Sequence, residues 1–390
     1  MESNAKLNLR QRVQRSIRRR KPGSPIWYIV AAVLLIGLCI ALKFINFDGE
    51  DAAYDGIAGT GAFTATFTGN VNCVGDGKVI DAKGYEEYFS GVRSIFDKSD
   101  YISVPINDPI IEDAVETYQS GMSIKFADKY FNTEFATTLF DIGVRDATIS
   151  SKDMFRYGSK GALETSRTLE SAHAAVVNGP QDAGGISVAG IDASASGDAA
   201  VFTRHTDPET GLTILHVGIE TSDDRTRDYF TYDVRTYNDK DNDIARDIRN
   251  MRENEPDAFI AVTVSWGEYY LLKPSDYMRN VSRLLIDSGA DLVMGTGIQM
   301  VLSAEKYGDG YIFYGLGNLV ANEAYTMTQR GAVLNCVFGA DGGVTYEVVP
   351  LNVEGGRPVI TNSAIILRTL VSDIGSDADY TIENGRLIIR

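Results

Sequence analysis

Histidine, cysteine and tryptophan are scarce, at three, three and two copies in 390 residues. So few cysteines exclude a disulfide-stapled scaffold and a cysteine-rich zinc module. The histidines, His173, His205 and His216, stand at neither HxH nor HxxxH spacing, so structural or surface roles are expected of them rather than ligation. With 10 prolines, 38 glycines and no internal repeat, the chain is neither collagen-like nor a low-complexity segment. Basic residues are short too: 37 Lys and Arg face 53 Asp and Glu, a net charge of −16. The shortage is uneven. Residues 1–25 carry eight bases and one acid, whereas residues 48–390 carry 28 bases and 52 acids. An acidic body repels phosphate backbones, which excludes a nucleic-acid partner, so the basic arm is better explained by its neighbour.

That neighbour is residues 26–42, IWYIVAAVLLIGLCIAL, 17 residues without a charge. Continued past Lys43 to Phe47, the run is long enough for the hydrocarbon layer at about 1.5 Å per residue, and Lys43 can snorkel. Arg18, Arg19, Arg20 and Lys21 just before it predict, by the positive-inside rule, a cytoplasmic amino terminus and an outside body. A cleavable signal peptide is the competing reading. Against it, Lys43-Phe44-Ile45-Asn46 offers no small-x-small site, and Leu38 before Cys39 does not suit lipoprotein processing. The organisation expected is a basic cytoplasmic segment (1–25), a single transmembrane anchor in the cell membrane (26–47), an acidic flexible linker (48–61) and an extracytoplasmic domain (62–390).

Within that domain, strand-like runs at 63–68, 101–104, 212–219, 258–265, 292–295, 311–314 and 333–338 alternate with helical patterns at 122–140, 161–174 and 275–288. Such alternation indicates α/β layers. In the last helical pattern Tyr277, Val281, Leu284 and Leu285 form one stripe, and Gly289 is the stop. Residues 239–255 carry Ile244, Ile248 and Met251 at helical spacing among charges of both signs, the pattern of a solvated surface helix. Asp309-Gly310 between two strand-like runs predicts a two-residue hairpin, and therefore antiparallel pairs in at least one sheet.

The specific part of the sequence lies at 258–322: AFIAVTVSWGEYY, then a helix, then SGADLVMGTGIQMVL, then YIFYGLGNLVAN. In order and spacing it resembles the CapA-type capsule (poly-γ-glutamate) biosynthesis family, whose stretches read V-x-V-H-W-G-x-E-Y, A-D-x-V-I-G-x-H-P-H-V and F-Y-S-L-G-N-F. Earlier, FTGNVN stands against a Gly-Asp start, SDYISVPIN against an Asn-Leu-Glu segment, and SSKDMFRYGSKGALET against A-N-N-H-x-x-D-x-G-x-x-G. The resemblance covers most of residues 62–350. It implies a calcineurin-like, metallophosphoesterase-like fold: an α/β layered sandwich of mixed β-sheets flanked by helices, here preceded by one transmembrane helix.

The framework letters are kept and the chemical ones are not. Asn70 stands where the resemblance expects Asp, Pro105 and Asn107 replace the Asn and Glu of the second segment, and Ser151, Lys152 and Asp153 replace Asn-Asn-His, with Arg156 for the following Asp. Ser265 replaces the His before Trp266-Gly267, Tyr269 replaces the Glu, and Gly297, Ile298 and Gln299 replace His-Pro-His. Asn318 keeps the family's type. A metal pair that activates water needs several imidazole or carboxylate donors, and glycine, isoleucine and lysine cannot donate. No cofactor is therefore expected. The lesser reading is a hard cation such as Mg or Ca on oxygens of Asn70, Asn72, Asp76, Asp153 and Asn318.

The binding-cleft positions implied by the resemblance are Asn70, Asn107, Lys152, Asp153, Arg156, Ser265, Trp266, Gln299 and Asn318. Lys152 and Arg156 read either as a local basic patch or as members of salt bridges. Cys73 and Cys336 read either as one bridge or as two buried thiols. The expected function is a membrane-anchored, non-catalytic protein of capsule, poly-γ-glutamate or other envelope-polymer synthesis or export. Its partners by resemblance are the membrane, polymer synthase or export subunits and an anionic polymer. The alternative is an active extracytoplasmic hydrolase of phosphoester or amide bonds with a non-standard site, for which Asp153 and Ser265 are the weak catalytic candidates.

Overall fold

A computed structural model describes residues 30–35, 54–73, 84–112, 129–172, 184–190, 202–221, 243–267, 270–322 and 325–390. The chain divides into two units, Met1–Phe47 and Asp48–Arg390. Of the first, residues 30–35 are helical with exposed side chains, and the rest of the predicted anchor lies outside the described residues. Among the described residues no helix is long and apolar enough to cross a membrane.

The second unit is built on strands buried on both faces. In β1 (Phe63–Thr68), Phe63, Ala65 and Phe67 alternate with Thr64, Thr66 and Thr68, so one side is apolar and the other hydroxylated, and all six are buried. β1 pairs in parallel with β3 (Tyr101–Pro105), which pairs in parallel with β4 (Asp146–Thr148), and that with β5 (Ser187–Ala189). On its other side β1 pairs antiparallel with β13 (Arg330–Phe338), followed by β14 (Val344–Glu354), β17 (Arg386–Ile389) and β16 (Tyr380–Glu383). β15 (Arg357–Ile360) also lies on β14, completing a sheet of nine strands among the described residues. The strands after residue 344 thus all extend the first sheet.

The second sheet, of six described strands, runs β10 (Ala304–Tyr307), β11 (Gly310–Phe313), β9 (Leu292–Thr296), β8 (Phe259–Ser265), β7 (Thr213–Glu220) and β6 (Thr203–Thr206). β10 and β11 form the hairpin that Asp309-Gly310 predicts, and β7, β8 and β9 are parallel. Both sheets are mixed, as expected. Between them, Phe63, Phe67, Tyr101 and Leu334 of the first sheet meet Ile214, Phe259, Leu292, Met294 and Phe313 of the second. The outer face of the first sheet is covered by the helices Glu134–Asp141 and Gly158–Glu170 through Phe135, Leu139 and Leu169. Ile244, Ile248 and Met251 of helix Asp243–Asn254, with Met278, Val281 and Leu285 of helix Asp276–Asp287, cover the second. At roughly 1.5–3 kcal/mol per fully buried large apolar side chain, these three apolar layers dominate the stability. Ser275 caps the helix Asp276–Asp287 by accepting from the Met278 amide, and Gly289 ends it at φ 115°.

Three expectations change or are resolved. Residues 54–61, read as part of a flexible linker, are held against the first sheet: Tyr54 Oη donates to Glu347 over 2.7 Å, the Ile57 amide donates to the same carboxylate, and Ala58 is buried. The acidic, glycine-rich composition hid one aromatic anchor. Cys73 and Cys336 do not pair. Both are buried free thiols, Cys73 in the outer layer beside β3 and Cys336 between the sheets. The helix expected over 122–140 is seen as Glu134–Asp141, residues 122–128 being outside the described set.

One polar knot lies inside the sandwich. His216 Nδ1 is 2.6 Å from Asp146 Oδ1, and its Nε2 lies 2.9 Å from Thr263 Oγ1. Ser103 donates to Asp146 at 2.6 Å and Thr203 also donates to it. Burial works to raise the Asp146 carboxyl, yet His216 and the two hydroxyl donors hold it below the usual carboxylate range. The knot joins β3 and β4 to β6, β7 and β8, which makes His216 structural, as its spacing implied. His205 is half-buried against Phe63 and Tyr101, and His173 lies outside the described residues.

Candidate binding cleft at the strand ends

The parallel strands of both sheets deliver their carboxyl ends to one edge of the sandwich, the place where α/β folds present side chains to ligands. The short pair β2 (Asn70–Val71) and β12 (Asn318–Val320) joins the sheets there, with Asn70 opposite Asn318. A Cβ on Gly69 would come within 2.5 Å of the Gly317 carbonyl, so the glycines permit this close approach.

Across this edge runs a chain of amides. Asn70 Nδ2 and Asn72 Nδ2 each donate to Asn318 Oδ1 at 3.1 Å, and Asn107 Nδ2 donates to Asn72 Oδ1 at 2.9 Å. Asn70 Oδ1 accepts from the Gly297 amide at 2.8 Å and from Thr296 Oγ1, while Asn318 Nδ2 donates to the Thr328 carbonyl at 2.8 Å. The Oδ1 atoms of Asn70 and Asn318 thus each accept two hydrogen bonds, the usual capacity of a carbonyl oxygen. All four asparagines are buried. The structure therefore brings Asn70, Asn107 and Asn318 together as the resemblance implied, and adds Asn72.

A second cluster stems from the 3-10 turn Lys152–Tyr157 after β4, which Ser151 caps by accepting from the Asp153 amide. Lys152 Nζ donates to the Gly267 carbonyl at 2.6 Å, tying this turn to the end of β8. Arg156 Nη2 lies 3.2 Å from Asp108 Oδ1 and 3.2 Å from Asp153 Oδ1. Both cations are engaged within the protein, which favours the salt-bridge reading over a free basic patch. Asp108 is a member that sequence reasoning missed, although it directly follows Asn107. Its other oxygen accepts from the Cys73 amide at 2.8 Å. Burial pushes the Asp108 carboxyl up to about 6 despite the opposing pull of Arg156. Burial, with Asp108 nearby, pushes the Cys73 thiol up to about 12, so it is no nucleophile at neutral pH.

Ser265, Trp266 and Gln299 form the third part. Ser265 is buried at the end of β8, and a Cβ on Gly297 (φ 79°) would stand 2.9 Å from its Oγ. Its cross-strand neighbour Glu220 is also buried and was likewise missed in the sequence. The one histidine on the adjoining strand, His216, has both ring nitrogens occupied by Asp146 and Thr263. Trp266 Nε1 donates to the Tyr314 carbonyl at 3.0 Å and holds the end of β8 against the end of β11. Tyr270 and Gln299 adopt left-handed backbone at φ 62° and 60°, and the Tyr270 amide donates to the Ile298 carbonyl. Such conformations are costly for non-glycine residues, and the strain clusters where ligand-handling loops are built. Tyr269 and Asp76 lie outside the described residues. Among the described residues no three His, Cys, Asp or Glu side chains gather as a metal site.

Comparison with known proteins agrees with this arrangement. The "Capsule biosynthesis protein CapA" of Bacillus anthracis is 22% identical over 99% of this chain and 91% of its own length. The "PGA biosynthesis protein CapA" of Bacillus subtilis (strain 168) is 25% identical over 80% of this chain and 77% of its own. A solved structure, a hypothetical protein from Thermus thermophilus, covers 77% of this chain and 97% of its own at 14% identity, with a TM-score of 0.37 too low to argue from. The profile of the family described as "Bacterial capsule synthesis protein PGA_cap" matches residues 64–323, from β1 through the loop after β12. With two thirds of its length matched, including every cleft segment above, the chain belongs to the PGA_cap family of bacterial capsule synthesis proteins.

Proposed function

We propose that this chain is a membrane-anchored, non-catalytic member of its family, serving the synthesis or export of capsule or another envelope polymer by binding or scaffolding. The names of its Bacillus relatives support capsule or poly-γ-glutamate biosynthesis as the setting. The apolar run 26–47 behind a basic arm supports the anchor, with the body outside the membrane. The observation that carries the non-catalytic reading is the amide chain. Its oxygens are occupied by N–H and O–H donors, and its members are neutral, so this donor set does not suit a water-activating metal pair. Ser265 lacks a free imidazole base, and Asp153 is held by Arg156.

With Lys152 and Arg156 engaged and the body strongly acidic, the cleft is a poor grip for a polyanion. The reading therefore favours membrane-bound polymer synthase or export subunits as direct partners. The test is isolation of the full-length chain from membranes, identification of copurifying proteins, and assay of phosphoester and polyglutamate hydrolysis with and without Mn. Copurifying polymer-synthesis subunits and no turnover are expected. Turnover abolished by Ser265→Ala or Asp153→Ala would overturn the non-catalytic reading.

A further inference from the structure

The turn Lys152–Tyr157 supplies two positive charges to a buried edge where three strand ends converge, and both point inward. Arg156 is mostly buried, its side chain 12% exposed, and Asp108 is more so at 4%. A single guanidinium nitrogen stands 3.2 Å from one carboxylate oxygen of Asp108, beyond β3, and 3.2 Å from one of Asp153, beyond β4. One point of positive charge shared by oxygens from two segments is what a bound divalent cation would provide. Lys152 repeats the device on a neutral acceptor, the Gly267 carbonyl beyond β8.

We propose that Arg156 is a tethered internal cation that takes the place of a bound metal, making the cleft electrostatically complete with no ion added. Removing one partner of a buried pair leaves the other charge uncompensated. Without Arg156, Asp108 and Asp153 lose the cation between them, and that pair becomes a place for an added divalent ion. With Arg156 present, a cation approaching the same point is repelled. The guanidinium cannot lose its charge at physiological pH, so the neutralisation is permanent and does not depend on metal supply.

This inference rests on the non-catalytic reading above, but it fails separately. The experiment is thermal unfolding of the full-length wild type, Arg156→Met and the double variant Asp108→Asn/Arg156→Met, each with EDTA and with about 1 mM Mg, Ca or Mn chloride. The wild-type Tm is expected to be the same in all four conditions. Arg156→Met is expected to melt on the order of 5–10 °C lower in EDTA and to recover several degrees with at least one of the cations. The double variant should lose less than Arg156→Met and show no cation response. Metal analysis of the wild type provides the readout if Arg156→Met does not fold. Tightly bound stoichiometric metal in the wild type, or an Arg156→Met protein that folds and ignores every cation, overturns the proposal. Metal-independent turnover would sink the non-catalytic reading and leave this inference standing.

Discussion

Tyr54 and Glu347, 293 residues apart, meet through a 2.7 Å hydrogen bond at a carboxylate that is fully buried. Glu347 also accepts from the Ile57 amide at 3.1 Å and from Asn335 Nδ2 at 2.8 Å, while Arg386 stands 3.9 Å away and pairs with Asp55. The segment that leads into β1 is thereby fastened to the middle of the first sheet. Tyr54→Phe is expected to lower stability by about 1–2 kcal/mol, and Glu347→Ala by roughly 3–5 kcal/mol because it strands several donors at once. Urea midpoints of the two variants check this. A chain shortened to begin at residue 62 should resemble the Glu347 variant.

The amide chain predicts a steep cost at Asn70. Asn70→Ala leaves the Gly297 amide and Thr296 Oγ1 without their acceptor, and Asn318 without one donor. A loss of about 2–4 kcal/mol is expected in chemical denaturation. Asn70→Asp keeps the acceptor but buries a charge in the amide chain, so it should be destabilised more at pH 8 than at pH 5.

Asp108 sets a pH dependence of definite sign. Its folded carboxyl is raised from 3.8 to about 6. A raised folded value means the contribution is fully present below about pH 4 and is lost as pH rises through 6. This group alone therefore removes roughly 2–3 kcal/mol between pH 4 and pH 6.5. Asp108→Asn, whose side chain can still accept from the Cys73 amide, should not show that fall. Stability curves of the two proteins across this window should converge towards the acid end.

The Asp146–His216 pair is expected to be costly to break. Both side chains are 1% exposed, and the pair spans the two sheets. Asp146→Ala should lose about 3–5 kcal/mol, seen as a lower Tm, because His216 and two hydroxyls lose their acceptor. Asp146→Asn, keeping an acceptor oxygen, should lose less.

What the sequence disclosed follows the range of the interactions. Strand alternation in β1, the Asp309-Gly310 hairpin and the helix that Gly289 ends rest on neighbours within a few positions, and each was legible. The cleft segments were legible as a set through resemblance, because the framework glycines and Trp266 kept their spacing. The partners were not. Nothing local says that Arg156 will choose Asp108, 48 positions earlier, or that Lys152 will direct its charge to the Gly267 carbonyl. Tyr54 looked like part of a linker because its acceptor lies near the far end of the chain. Asn72 read as an ordinary loop amide until the strand ends were set side by side.

The pairing of β1 with β13 also governs the order of events as the chain is made. Phe63 lies opposite Phe338, so the central strand of the first sheet lacks one neighbour until most of the remaining chain has emerged. Contacts of such long span close slowly, and a short apolar strand left waiting is prone to pair with the wrong edge. Biogenesis of this protein must therefore shelter residues 63–68 until the last part of the polypeptide arrives.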